Sequence, residues 1–348
     1  MTRGKLTVLI GGQYGSEGKG AILRHIADQY GVHVRVGSYN AGHTFYWHGD
    51  KHVMQAIPCG WINPNAKIVI GRGAIVPVDG LLAEIAHIEK YYPDFKKRPY
   101  IDVEAGVLED NFHKFEGGKD GWMNRAIGST GEGCGAARVA RMNRNEGEFT
   151  RWGEIAKDYG LEECMCINTP GLIVDEQDAG VNVLSEGTQG SGLSLLHSNW
   201  PYCTSIDTNA AGVISEVGIA PTRVTDVLMV CRSYPIRVAG NSGPMFRETT
   251  WEELGVEPEI TTVTKKVRRV AEWDGALFAN SCLLNAPTEI ALTFADYIDK
   301  DIAGASGSMK FDDLPKSVVE WVMGKNAKLR EKLRYIGTGP DSVIEIVK

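Results

Sequence analysis

The 348-residue sequence predicts an α/β fold: a large, mostly parallel sheet covered by helices. Three observations predict it. Short apolar runs of strand length alternate with helical patterns along the whole chain. Glycine-dense turns follow several of those runs, at the carboxyl ends where such sheets carry their sites. The run Val224–Cys231 is long and apolar, as a central strand buried on both faces must be. No internal repeat, low-complexity tract or linker breaks the pattern, so a single domain spanning residues 1–348 is expected.

In chain order, Leu6–Ile10 is an apolar, β-branched run that reads as a buried strand. Ala21–Tyr30 reads as a helix because Ile22, Ile26 and Tyr30 share one face. Val32–Val36 is the next strand, and Phe45–Trp47 with His52–Ile57 reads as a hairpin around His48–Lys51. Lys67–Ile70 is a short buried strand; Asp79–Tyr91 is a helix with Leu82, Ile85 and Ile88 on its core stripe. Tyr100–Val103 is a strand. Gly117–Gly135 is polar and glycine-rich, a length of connection that is uncommon unless it binds something or moves. Val181–Leu184 and Val224–Cys231 are strands, and residues 240–272 are polar and partly basic. Ala276–Asn285 reads as a helix, Glu289–Thr293 as a strand, Lys316–Lys332 as a helix and Val343–Val347 as the last strand.

Composition narrows the function. With 43% hydrophobic residues the chain has ample core. Its net charge of −7 comes without any block of like charge, so neither nucleic acid nor a membrane surface has an electrostatic footprint here. Arg3 and Lys5 precede an apolar run too short for a signal peptide, and no run approaches a membrane span. The seven cysteines are odd in number and scattered, with Cys164 and Cys166 a lone C-x-C. Reduced thiols and a cytoplasmic location (host cytoplasm, if a phage encodes it) are expected.

The motifs sit at the strand ends. Gly11-Gly-Gln-Tyr-Gly-Ser-Glu-Gly-Lys-Gly20 joins a strand to a helix, which aims backbone N–H groups and a helix start at phosphate. This makes the fold P-loop-like, though Gly12 to Gly18 is one residue too long for the Walker pattern and Gly20 replaces its Ser/Thr. Asn40-Ala-Gly-His-Thr44 puts a histidine in a strand-end loop, where it can exchange a proton near neutral pH. Ile127-Gly-Ser-Thr-Gly-Glu-Gly133 offers hydroxyls among glycine N–H groups. Glu186-Gly-Thr-Gln-Gly190 is a second glycine-dense strand end, followed by Pro201-Tyr-Cys-Thr-Ser205. Thr262-Val-Thr-Lys-Lys-Val-Arg-Arg269 offers hydroxyl and guanidinium groups that suit a dicarboxylate.

Taken together and in this order, these segments resemble the signatures of the adenylosuccinate synthetase family, from Gly11 to Asp341. The resemblance implies roles. Lys19 and Mg2+ hold the transferring phosphoryl group, His43 serves the base O6 as general acid, and the Gly42 carbonyl reaches the metal, as position 16 does. Ser16, Asn40, Thr130, Gln189 and Thr204 line the acceptor nucleotide. Arg141, in Val139-Ala-Arg141, crosses a homodimer interface to its phosphate. Thr262, Val263, Thr264, Lys266 and Arg268 form the aspartate loop. Gly15, Glu17, Gly18, Lys19, Gly20, Gly42, His43 and Thr44 face the donor phosphates, and Asp296, Gly337, Gly339 and Pro340 its base.

The chain departs from the family where specificity is decided. Ser16 stands where the family has its catalytic aspartate, Lys266 and Ser342 where arginines are usual, and Phe294 where a lysine covers the guanine of GTP. Serine is smaller and uncharged, and its oxygen can accept from a guanine N1–H or N2–H that a carboxylate would crowd. The chain therefore looks like the phage branch of the family, the 2-aminoadenylosuccinate synthetases. That resemblance implies dGMP and L-aspartate as substrates, ATP or dATP as donor, and N1 deprotonation through water or Glu17. An IMP-using synthetase with an unusual base, and a non-catalytic purine-nucleotide-binding protein, are the alternatives.

Overall fold

A computed structural model describes residues 2–117, 130–260 and 266–347. Among these residues, eleven strands form the main sheet. They are β1 Leu6–Gly11, β2 Val32–Arg35, β3 Lys67–Ile70, β4 Pro99–Asp102, β5 Met165–Cys166, β6 Val183–Glu186, β7 Asp226–Arg232, β8 Glu289–Thr293, β9 Gly307–Lys310, β10 Leu333–Gly337 and β11 Val343–Val347. Their spatial order is β9-β11-β10-β8-β7-β1-β6-β2-β3-β4-β5. Every neighbouring pair is parallel except β10 with β11. β1 lies at the centre, with the early strands on one side and the late strands on the other, so the order reverses beside its carboxyl end.

The period-two alternation of each strand feeds two cores. Leu9, Ile68, Ile70, Leu184 and Leu228 face one side, where the helices Lys19–Ile26 and Val78–Ile88 set Ile22, Leu23, Leu81 and Ile85 against them. Val8, Ile10, Val32, Val34, Val183 and Met229 face the other, under the helices Thr169–Asp178, Ala210–Val217, Gly275–Asn285 and Lys316–Met323. Burial on both faces is why these strands read as apolar runs.

Some boundaries differ from the expectation. The hairpin is longer and its turn tighter: His43–Trp47 pairs with Asp50–Met54 across His48 and Gly49 alone. Both turn residues take left-handed φ (52° and 83°), which lets two residues reverse the chain. The helix expected over Lys316–Lys332 is two, Lys316–Met323 and Ala327–Lys332, because Asn326 starts the second by accepting from the Lys328 N–H. Part of the polar stretch 240–272 joins a three-stranded antiparallel sheet of Ile236–Arg237, Arg269–Ala271 and Glu248–Thr249. Most of Gly117–Gly135 lies outside the described residues; Cys134 opens a helix that runs to Asn143. Among the described residues no helix is long and apolar enough to cross a membrane, and all seven cysteines are free thiols.

Candidate active site

The glycine turn after β1 closes on itself through a buried ion pair. Glu17 Oε1 accepts from the backbone N–H groups of Gln13 (3.0 Å) and Gly15 (2.7 Å). Glu17 Oε2 accepts from Lys19 Nζ at 2.8 Å, and Nζ also donates to the carbonyls of Gly15 (3.0 Å) and Gln189 (2.6 Å). Both side chains are shut off from solvent. All three Lys19 donors are spent inside the protein, and Glu17, the alternative proton acceptor, has both oxygens engaged. Gly20 has a steric reason: a Cβ there would lie 2.2 Å from the Thr44 carbonyl oxygen, so the hydroxyl residue of a Walker turn has no room.

The ends of β2 and β6 hold a second buried pair. Glu186, the last residue of β6, takes the Arg35 guanidinium from the end of β2 and stands 2.5 Å from His43 Nδ1. Its other oxygen accepts from the Cys59 N–H at 2.9 Å. Burial works to raise the Glu186 carboxyl, but Arg35 and His43 outweigh it and hold it below the usual range. Burial, with Arg35 adding to it, pushes His43 down, so its ring is neutral near pH 7. Nδ1 lies 2.5 Å from the ionised Glu186 carboxylate and 3.0 Å from Arg35 Nη1; the shorter contact assigns the ring proton to Nδ1 and the lone pair to Nε2. That Nε2 is buried and has no partner among the described residues.

Three residues beyond Glu186, Gln189 holds a left-handed backbone (φ 52°), an unusual conformation for a residue with a side chain. Its Nε2 donates to Asn40 Oδ1 at 3.0 Å, while its Oε1 is buried and unpartnered. Ser16 is half-buried between two arginines. Its Oγ accepts from Arg268 Nη1 at 3.1 Å and its carbonyl from Arg232 Nη1 at 3.1 Å. Phe294 lies against Gly18, where a Cβ would stand 3.3 Å from the ring. Asp296 is half-buried with Oδ1 lacking a partner, and burial raises its carboxyl. The turn after β10 lies alongside: a Cβ on Gly337 would stand 3.1 Å from Thr293. Gly339 and the exposed Pro340 continue that turn.

Other expected residues stand apart from these contacts. Thr130 is exposed; Thr204 is half-buried, its N–H donating to the Leu193 carbonyl at 2.8 Å. Arg141 stacks on Phe149 and donates to the Arg72 carbonyl at 3.4 Å. Lys266 is exposed, and Thr262, Val263 and Thr264 lie outside the described residues. Three groups were missed from sequence: Arg35, Glu186 and Arg232. Each is a charged residue ending a strand of mostly apolar residues, which is the signal that could have found them. Among the described residues, one cluster of three metal-ligating types occurs, His43, Cys59 and Glu186. Its nitrogen and sulfur donors do not suit Mg2+, and Arg35 already neutralises its carboxylate.

The adenylosuccinate synthetase family profile matches residues 8–165 and 145–304, and so spans most of the chain. The chain belongs to the adenylosuccinate synthetase family. It is therefore a C–N bond-forming ligase. An adenylosuccinate synthetase of Methanococcus maripaludis is 37% identical over 341 residues, covering 96% of each chain. One from a Pyrococcus species is 34% identical over 340 residues, again covering 96% of each. Among solved structures, the succinoaminodeoxyadenylate synthetase of cyanophage S-2L, bound to dGMP and to dATP as energy donor, superposes with a TM-score of 0.83 at 26% identity. It covers 99% of this chain and 96% of its own. The fully ligated Plasmodium falciparum adenylosuccinate synthetase (TM-score 0.86, 21% identity, 99% of this chain and 100% of its own) shares the fold.

Proposed function

We propose that this ligase joins L-aspartate to C6 of dGMP with ATP or dATP, giving 2-amino-2′-deoxy-N6-succinyladenylate, the nucleoside diphosphate and phosphate. One observation carries the reading. Where the family has a carboxylate, Ser16 presents a neutral oxygen that already accepts from Arg268. A carboxylate at that position would crowd or capture the 2-amino group of guanine; a hydroxyl keeps one lone pair for N1–H or N2–H. Gln189 Oε1, buried and unpartnered, adds a second acceptor for those donors. The cyanophage S-2L enzyme, with dGMP and dATP bound, supports the same choice of substrates.

In this reading O6 of dGMP attacks the γ-phosphorus and the diphosphate leaves. With Glu17 engaged, His43 Nε2 is the free lone pair that takes the proton released from the base. Glu186 and Arg35 orient the ring and stabilise its charged form once it is made. The aspartate amine then attacks C6 and the C6–O6 bond breaks; the amine releases its proton to solvent, and His43 returns the proton taken from the base to the departing phosphate. Arg268 and the Thr262–Thr264 segment hold the aspartate carboxylates. Mg2+ would arrive on the triphosphate: with the Ser16 lone pairs given to Arg268 and the base, the chain's own oxygen left to hold it would be the neutral Gly42 carbonyl. It supplies neutralisation of the phosphoryl charge. A homodimer is part of the proposal, supported by Val139 and Met142, which are exposed on the helix that carries Arg141.

A second reading, IMP as acceptor, is favoured by the archaeal relatives named adenylosuccinate synthetase at 37% identity. The two separate when dGMP and IMP are crossed with ATP, dATP and GTP, in aspartate and Mg2+, with mass detection of the succinyl product. An adduct on dGMP alone is expected. An adduct on IMP alone returns the chain to the second reading. Ser16→Asp is expected to move the dGMP-to-IMP preference toward IMP by about 100-fold or more; unchanged use of dGMP with no gain on IMP would refute the role given to Ser16.

A further inference from the structure

Arg232 ends β7 beneath the Ser16 turn and is fully buried, with Nε lacking a partner. Its guanidinium meets three regions. Nη1 donates to the Ser16 carbonyl at 3.1 Å. Both terminal nitrogens bond the Glu259 carboxylate, which also accepts from Tyr297 Oη at 3.1 Å. The Glu259 carbonyl in turn accepts from the Arg268 N–H at 2.8 Å, and Arg268 donates back to Ser16 Oγ, which closes a ring. The third contact is Phe294, whose ring centroid lies 3.8 Å from the Arg232 guanidinium carbon. Phe294 is kept there in a left-handed conformation (φ 57°), its carbonyl accepting from Ser233 Oγ at 2.7 Å.

We propose that Arg232 is a positioning residue that sets the Ser16 turn, the Arg268 end of the aspartate loop and the Phe294 donor platform together. A guanidinium over an aromatic face fixes the ring by cation–π attraction, strengthened here by burial. The same fork holds the Glu259 carboxylate in bidentate fashion, so the anchor of Arg268 and the platform share one rigid group. A lysine at 294 would lose the stack and bring a second cation to Arg232, which ties donor choice to this arginine. The inference rests on the subsites assigned under the proposed function.

Arg232→Gln, Arg232→Lys, Phe294→Leu and the Gln/Leu double variant test it, each beside wild type. Binding of a non-hydrolysable ATP analogue is measured by calorimetry, and KM for aspartate with whichever of dGMP or IMP the wild type accepts. Arg232→Gln is expected to weaken analogue binding and raise aspartate KM, each about tenfold. Phe294→Leu is expected to weaken the analogue alone. Arg232→Lys, keeping the charge without the fork, should recover part of both, and the double variant should bind the analogue no worse than Arg232→Gln. An Arg232→Gln protein that melts lower but keeps both constants makes the residue merely structural and overturns the proposal; so does strict additivity in the double variant. Failure of the dGMP reading shows instead as acceptor choice in the wild type.

Discussion

Two buried ion pairs stand at neighbouring strand ends and are finished differently. In the turn after β1, Lys19 and Glu17 satisfy each other and the surrounding backbone, and no donor of Lys19 is left over. At the ends of β2 and β6, Arg35 and Glu186 pair as closely, but they hold a histidine whose second nitrogen is buried and unmet. A closed pair stabilises a turn. An open one carries a desolvated group with no partner among the described residues, which leaves it for a ligand. The difference separates a satisfied turn from a site with an unmet group more sharply than the glycine motifs do, which mark both places alike.

The largest expected effect lies on the open side. His43→Asn should lower kcat about 10³-fold, roughly 4 kcal/mol of barrier, with little change in melting temperature. A large melting shift with kcat preserved would make the open pair structural and erase the distinction. The closed side should answer in the opposite currency of measurement: Lys19→Met leaves the Glu17 carboxylate buried without its cation, at a cost of about 3 kcal/mol in stability. Chemical denaturation of the unliganded protein checks it. An unchanged midpoint, with only donor binding weakened, would show that Lys19 is held for phosphate and not for the turn.

What could be read from the sequence follows from what is local. β3, β8 and β11 appear at their expected bounds because a short apolar run flanked by polar residues determines its own ends. The helix expected over Lys316–Lys332 was overextended because helical periodicity continues past the cap at Asn326. His43, Gln189 and Ser16 are legible as candidates because they stand in dense local motifs. Arg35 and Arg232 were not, since a cation ending an apolar strand acquires meaning from partners far along the chain: Glu186 for one, Glu259 and Phe294 for the other. The inward turn of Lys19 was equally unreadable, because its third acceptor, the Gln189 carbonyl, is 170 residues away.

The smallest effect sharpens the comparison by asking whether any unmet nitrogen marks a site. His33 also buries a partnerless nitrogen, Nδ1, while its Nε2–H donates to the Ala27 carbonyl at 3.0 Å. Its Nδ1 faces backbone: a Cβ on Gly60 would lie 2.0 Å from it, so there is no room for a ligand. It is therefore a purely structural orphan. Burial lowers His33 from 6.5 to about 4, with the Ala27 carbonyl opposing the shift. A folded-state value below the unfolded one means that the stabilisation is complete above about pH 6.5 and is lost as pH falls toward 4, where only the unfolded chain takes up the proton. Between pH 7 and pH 5 this group should cost about 2 kcal/mol. His33→Asn should remove this share of the slope, leaving the similar share of His43, and keep kcat within about twofold. An unchanged slope would assign the acid sensitivity elsewhere, and a large loss of kcat would show that an unmet nitrogen matters to turnover even where no substrate can reach it.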